Sequence, residues 1–133
     1  MSNAVIDNDV VSFLFKRDTR AELYKPHLLG ARPVVSFMTV AELELWALIR
    51  NWGEPRKARM REHLRNLVVH PFDRALCVTW AEVTALARNN GRPIGCADAW
   101  IAATATLHGI PLITQNREDF AGVDGLAVIS EAP

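Results

Sequence analysis

The chain has 133 residues, with fifteen Lys and Arg balancing fifteen Asp and Glu, and half of it is hydrophobic. That length suits a single domain over residues 1–133 with a buried core, and the composition excludes a disordered polyelectrolyte and a uniformly basic nucleic-acid coat. The balance is uneven along the chain: residues 1–66 hold eleven cations against eight acids, residues 67–133 hold four against seven, and six cations fall between Arg50 and Arg65.

The strand-like runs are AVID (4–7), PVVSF (33–37), LVVH (67–70), PLIT (111–114) and LAVI (126–129). Between the first two, Val10, Val11, Leu14 and Phe15 form a helical face. After the second, Leu43, Trp46 and Ile49 recur at i, i+3, i+6, and Pro55 suits the first turn of a further short helix. Asp73 can cap a helix through Leu76, Trp80, Val83 and Ala87 that stops at Gly91; Trp100, Thr104, Leu107 and His108 lead to a second stop at Gly109. Beyond Ile129 the tail is expected to fray. Strands that are apolar on successive residues and alternate with helices predict an α/β fold, a parallel sheet covered on both faces.

Cys77 and Cys96 lack Cys-x-x-Cys spacing and follow no signal peptide, so they read as core filler in a reduced, cytoplasmic protein. No apolar run reaches the ~18 residues that span a bilayer. The histidines His27, His63, His70 and His108 have no metal-ligand spacing and read as structural. There is no Gly-rich phosphate loop and no G-x-S-x-G, so dinucleotide binding and acyl transfer lack their motifs.

In an open α/β sheet the ligand crevice lies beyond the carboxyl ends of the strands. Asp7 ends the first strand there, Glu42 opens the helix after the second, Asp98 sits in the first turn of a helix that runs back, and Asp119 follows the fourth strand; Asp9 lies beside Asp7. Like charges gathered in one crevice raise each other's pKa unless a cation neutralises them, and all-oxygen carboxylate ligands suit Mg²⁺ or Mn²⁺. Each acid also has a plainer role. Thr39-Val-Ala-Glu42 fits a capping box, Asp98 complements a helix dipole, and Asp119 is a solvated turn residue. Small neighbours, Ala97, Ala99, Ala102 and Ala103, suggest open space around Asp98 for metal and phosphate.

With Asp7-Asn8-Asp9, Val40-Ala-Glu42-Leu43, RPIGCADAWIAATA (92–105) and LITQNREDF (112–120) in that order, the chain resembles the PIN-domain ribonucleases, and most of all their VapC toxin branch. The resemblance runs from about residue 4 to residue 130, and its two C-terminal blocks are specific as a pair. It implies a five-stranded parallel sheet between helices, an acidic Mg²⁺ or Mn²⁺ site that hydrolyses single-stranded RNA, a VapB-type antitoxin partner and a homodimer. It assigns catalysis to Asp7, Glu42, Asp98 and Asp119, with Asp7, Glu42 and Asp98 on the metal. Asp119 or Asn116 completes the shell, and Asp9 departs from the commoner Asn or Ser, tightening one metal site or serving a second. The metal would lower the pKa of a bound water while one carboxylate takes its proton.

The run RKARMREHLR offers Arg56, Lys57, Arg59, Arg61 and Arg65 as RNA phosphate contacts or as a solvated helix. Trp46 and Trp52 near it read as core, or else as a groove for an antitoxin helix. Two other functions fit parts of the chain. Asp7-x-Asp9-x-Val11 matches the nucleophile motif of haloacid-dehalogenase phosphatases, but no lysine follows Lys57 to balance an aspartyl-phosphate. A catalytically silent interaction domain fits the fold but leaves the four acids without a purpose.

Overall fold

A computed structural model describes residues 2–133. Its strands are β1 (Ser2–Ile6), β2 (Ala31–Ser36), β3 (Val68–His70), β4 (Leu112–Ile113) and β5 (Val128–Ile129); its helices are α1 (Asn8–Lys16), α2 (Ala21–Leu28), α3 (Phe37–Ile49), α4 (Glu54–Arg65), α5 (Arg74–Asn89) and α6 (Cys96–His108). The five strands form one sheet in the order β3-β2-β1-β4-β5, and every ladder is parallel. The α/β class, the parallel sheet and all five strands are as the sequence predicts.

The sheet's register explains its two cores. Val5 pairs with Val34 and Leu112, and these three point to one face; Ile6 pairs with Ile113, and with Val35 they point to the other. The first face packs on α5 and α6 through Leu76, Val83, Ile101 and Ala102, the second on α1, α3 and α4 through Val10, Leu43 and Met60. Because both faces are covered, successive strand residues are apolar and no alternation shows in the sequence.

Helix ends follow local chemistry. Asp73 accepts a 2.8 Å hydrogen bond from Leu76 N–H as the cap of α5, and Gly91 and Gly109, at φ 70° and 62°, end α5 and α6 in the left-handed conformation. Gly122 is required for closeness instead: a Cβ there would stand 2.3 Å from the Arg92 carbonyl oxygen.

Four expectations are corrected. Helix α2 has no counterpart in the sequence reading; it carries Pro26 and buries only Ala21 and Tyr24, too little for a periodic signal. The inward stripe of α3 is Thr39, Leu43 and Ala47, spaced by four, while Ile49 stays 64% exposed. Cys77 and Cys96 are exposed free thiols and fill no core. The tail is tied down: Glu131 N–H donates to Tyr24 Oη at 3.1 Å, and the Glu131 carboxylate meets His27 Nε2 at 2.5 Å.

Candidate active site

The strand order places the topological switch between β1 and β4, and the polar groups that matter lie at their carboxyl ends. Asp7 is the first residue past β1. Its N–H donates to the Ile113 carbonyl of β4 at 2.9 Å, and one carboxylate oxygen accepts from Asn8 N–H at 2.8 Å as the cap of α1. The other oxygen accepts from Thr114 Oγ1 at 2.7 Å. The side chain is buried, and burial, helped by the charges of Asp9 and Asp98, pushes its pKa from 3.8 up to about 7 against those hydrogen bonds.

Asp9 sits one residue into α1, half-buried. One of its oxygens accepts from Val10 N–H at 2.7 Å; the other accepts from Gln115 N–H at 3.2 Å and from Asn116 Nδ2 at 2.7 Å. Burial is again the main reason its pKa is raised, with the Asp119 charge adding to it. Asn116 is thereby fastened to Asp9 through its nitrogen, leaving its side-chain oxygen as the atom able to ligate a cation.

Glu42 lies in the second turn of α3, and Ser36, not Thr39, caps that helix by accepting from Met38 N–H. The capping-box role of Glu42 therefore falls away. Its Oε1 instead accepts from Asn8 Nδ2 at 2.8 Å, across thirty-four residues of sequence. Asp98 opens α6, and its pKa is raised to about 6, chiefly by burial and then by the charges of Asp119, Glu42 and Asp9. Asp119 sits exposed in a 3₁₀ turn, Arg117–Phe120. The charges of Asp9 and Asp98 thus act on Asp7, that of Asp119 on Asp9, and those of Asp119, Glu42 and Asp9 on Asp98. Of the small residues expected around Asp98, Ala99, Ala102 and Ala103 are packed into the core, and Ala97 is half-buried.

The chain as a whole has known relatives. The family model of the PIN domain matches residues 4–126. The chain is 33% identical over 134 residues to VapC ribonuclease Y4jK of Sinorhizobium fredii, covering 90% of the chain and 93% of that protein. It is 31% identical over 104 residues to Ribonuclease VapC5 of Mycobacterium tuberculosis, covering 77% and 76%. The chain belongs to the PIN-domain family, as a VapC-type ribonuclease toxin of a toxin–antitoxin system. Among solved structures, VapBC-1 from nontypeable Haemophilus influenzae superposes with a TM-score of 0.78 at 26% identity, over 96% of this chain and 97% of that one.

The donor chemistry of this PIN site fits a hard divalent cation, since every candidate ligand is an oxygen and two carboxylates are held well above their ordinary pKa by crowding and burial. Among the described residues no three acidic, His or Cys side chains gather closely enough to hold one ion between them. Mg²⁺ needs no such cage, because it keeps several waters and is usually bound through one or two carboxylates plus substrate phosphate.

Sequence reasoning gave no role to Asn8, Thr114 or Tyr24, yet Asn8 orients Glu42, Thr114 holds Asp7, and the Tyr24 hydroxyl donates to the Gln115 side chain. A polar residue between two aspartates and a hydroxyl ending a central strand were the available signals. The basic run of α4 is largely occupied. Lys57 pairs with Glu54, Arg61 with Glu44 and Arg65 with Glu62, while Arg56 and Arg59 have no carboxylate partner among the described residues. Trp52 is buried as core, with Arg56 lying 5.6 Å from its ring centre; Trp46 is half-buried.

Proposed function

We propose that this chain is a Mg²⁺- or Mn²⁺-dependent endoribonuclease that hydrolyses phosphodiester bonds in single-stranded regions of RNA. The observation that carries the reading is the convergence of Asp7, Asp9, Glu42, Asp98 and Asp119 at the carboxyl ends of β1 and β4, with Asp7 raised to about 7 and Asp98 to about 6. When bound, the ion lowers the pKa of a water and neutralises phosphate charge. The chain's residues do the rest. Thr114 and the Asn8 amide hold Asp7 in one orientation, and the Asn8 side chain does the same for Glu42. Asp7, Glu42 and Asp98 would hold the ion and position the water, one carboxylate would take the water's proton, and Asp119 or the Asn116 oxygen would complete the shell.

The family relationship also supports a VapB-type antitoxin and a homodimer as partners. Both need apolar surface, and Leu48 and Ile49 on α3 and Phe72 before α5 are 69%, 64% and 67% exposed. Among the described residues no helix is long and apolar enough to cross a membrane. Sedimentation showing only monomer at tens of micromolar would remove the dimer from the proposal.

The deciding experiment is cleavage of a mixed pool of single-stranded RNAs by wild type and Asp98→Asn, with Mg²⁺, Mn²⁺ or EDTA. Cleavage by wild type alone, abolished by EDTA, is the expected result. If wild type cuts nothing and Mn²⁺ titration shows no binding, the chain is a silent interaction domain instead.

A further inference from the structure

Two of the cations that meet no carboxylate lie together beside the acidic centre. Lys16 ends α1 with its ammonium 4.9 Å from the centre of the Trp52 ring, and Arg50, just after α3, lays its guanidinium 4.8 Å from the centre of Trp46. Neither has an acidic partner among the ion pairs of the described residues. Both line a cavity of about 220 Å³ whose remaining charged walls are Asp18, Arg20 and Asp9. Arg20 and Asp18 cancel, joined by two side-chain bonds of 2.8 and 3.0 Å. Asp9 accepts hydrogen bonds from Gln115 and Asn116 and keeps its negative charge at the wall. With Asp9 counted, the lining carries three cations against two acids, and burial together with Arg50, Arg56 and Arg20 depresses the Lys16 pKa against the pull of Asp18.

An excess of positive charge costs stability, and it persists where a polyanion supplies the missing counter-charge. The cavity is smaller than the ~300 Å³ at the low end of drug-sized pockets, which suits a phosphodiester better than a whole nucleotide. Its wall at Asp9 is also a wall of the acidic centre. A strand cut beside Asp7 and Asp98 would pass over Asp9 into it.

We propose that this cavity seats a backbone phosphate of the RNA strand adjoining the one cleaved, with Lys16 and Arg50 as its two cationic contacts. The inference rests on the ribonuclease reading and relocates the main electrostatic grip from α4 to the junction of α1 with the end of α3. Arg61 and Arg65, already satisfied by Glu44 and Glu62, add less.

The test is fluorescence anisotropy in EDTA with a fluorescein-labelled single-stranded RNA of mixed sequence, about twelve nucleotides long, titrated at several salt concentrations. The variant Lys16→Met/Arg50→Gln keeps both stems over their indole rings and removes both charges. Arg74→Gln/Arg88→Gln on α5 removes the same charge elsewhere, and Lys16→Arg/Arg50→Lys restores it in place; melting curves verify that all three fold. The site predicts about a tenfold or greater loss of affinity at low salt and a slope of log K against log salt shallower by about 0.7 to 1.4, with wild-type slope in the charge-restoring variant and less than about a threefold change in the α5 variant.

Wild-type affinity and slope in Lys16→Met/Arg50→Gln would overturn the proposal, as would an equal loss in the α5 variant, which would mark a general charge effect. Each of these is distinct from failure of the ribonuclease reading, in which wild type itself neither binds nor cleaves the RNA.

Discussion

Replacing Asp7 by Asn should make the protein more stable at pH 8 while abolishing the proposed metal-dependent cleavage. The folded protein holds the Asp7 proton up to about pH 7, whereas an unfolded chain releases it near 3.8. A group whose folded pKa is raised contributes its full stability below the unfolded value and loses it as pH rises through the folded one. The roughly three pH units between them, at about 1.4 kcal/mol each, put the cost of the native carboxylate on the order of 4 kcal/mol above pH 7. Asn keeps an oxygen for the Asn8 amide but turns an NH₂ toward Thr114, whose hydroxyl proton must re-aim, at about 1 kcal/mol. The expected net gain is about 2–3 kcal/mol at pH 8, or roughly 8 °C in Tm for a domain of this size. At pH 4 that gain is gone. Urea and thermal melts of both proteins in EDTA at the two pH values read this directly. A variant no more stable than wild type at pH 8, or equally favoured at pH 4, refutes the reasoning.

Three further substitutions probe the site's supports. Asn8→Ala removes the donor that orients Glu42 and should lower kcat for RNA cleavage about tenfold, or about 1.4 kcal/mol, with little change in melting; single-turnover kinetics on the first RNA found to be cut would measure it. Gly122→Ala drives a methyl into the Arg92 carbonyl and the Ala87 backbone, and should cost about 1–3 kcal/mol in urea denaturation; an unmoved midpoint contradicts the close approach. Tyr24→Phe removes the hydroxyl shared by Gln115 and the Glu131 amide, so it should cost about 1–2 kcal/mol and speed proteolysis beyond Ile129.

Much of the fold was legible because parallel strands buried on both faces leave unbroken apolar runs, and Asp73, Gly91 and Gly109 mark helix ends by chemistry that acts locally. Helix α2 was not, since eight residues with two inward side chains and an internal proline carry no usable period. The acids Asp7, Glu42, Asp98 and Asp119 stand out in the sequence as a set, because each falls at a strand or helix junction even though each alone has a plainer role. Their supports were hidden for a different reason. Asn8 to Glu42 spans thirty-four residues and Thr114 to Asp7 spans 107, and neither pairing leaves a periodic or motif trace. Charge in α4 misled in the same way: Arg61 is neutralised by Glu44, seventeen residues earlier on another helix.

The strand order has a consequence for the order of synthesis. β1 is made first yet lies in the middle of the sheet, and the partner on its other side, β4, comes only at residues 112–113, followed by Thr114 and Asp119. A nascent chain can pair β1 with β2 and β3 early, but the edge that fixes Asp7 stays open until the last fifth of the chain has left the ribosome. The edge of β1 that carries Asp7 thus closes in one late step, and until then the nascent chain holds only half of its sheet.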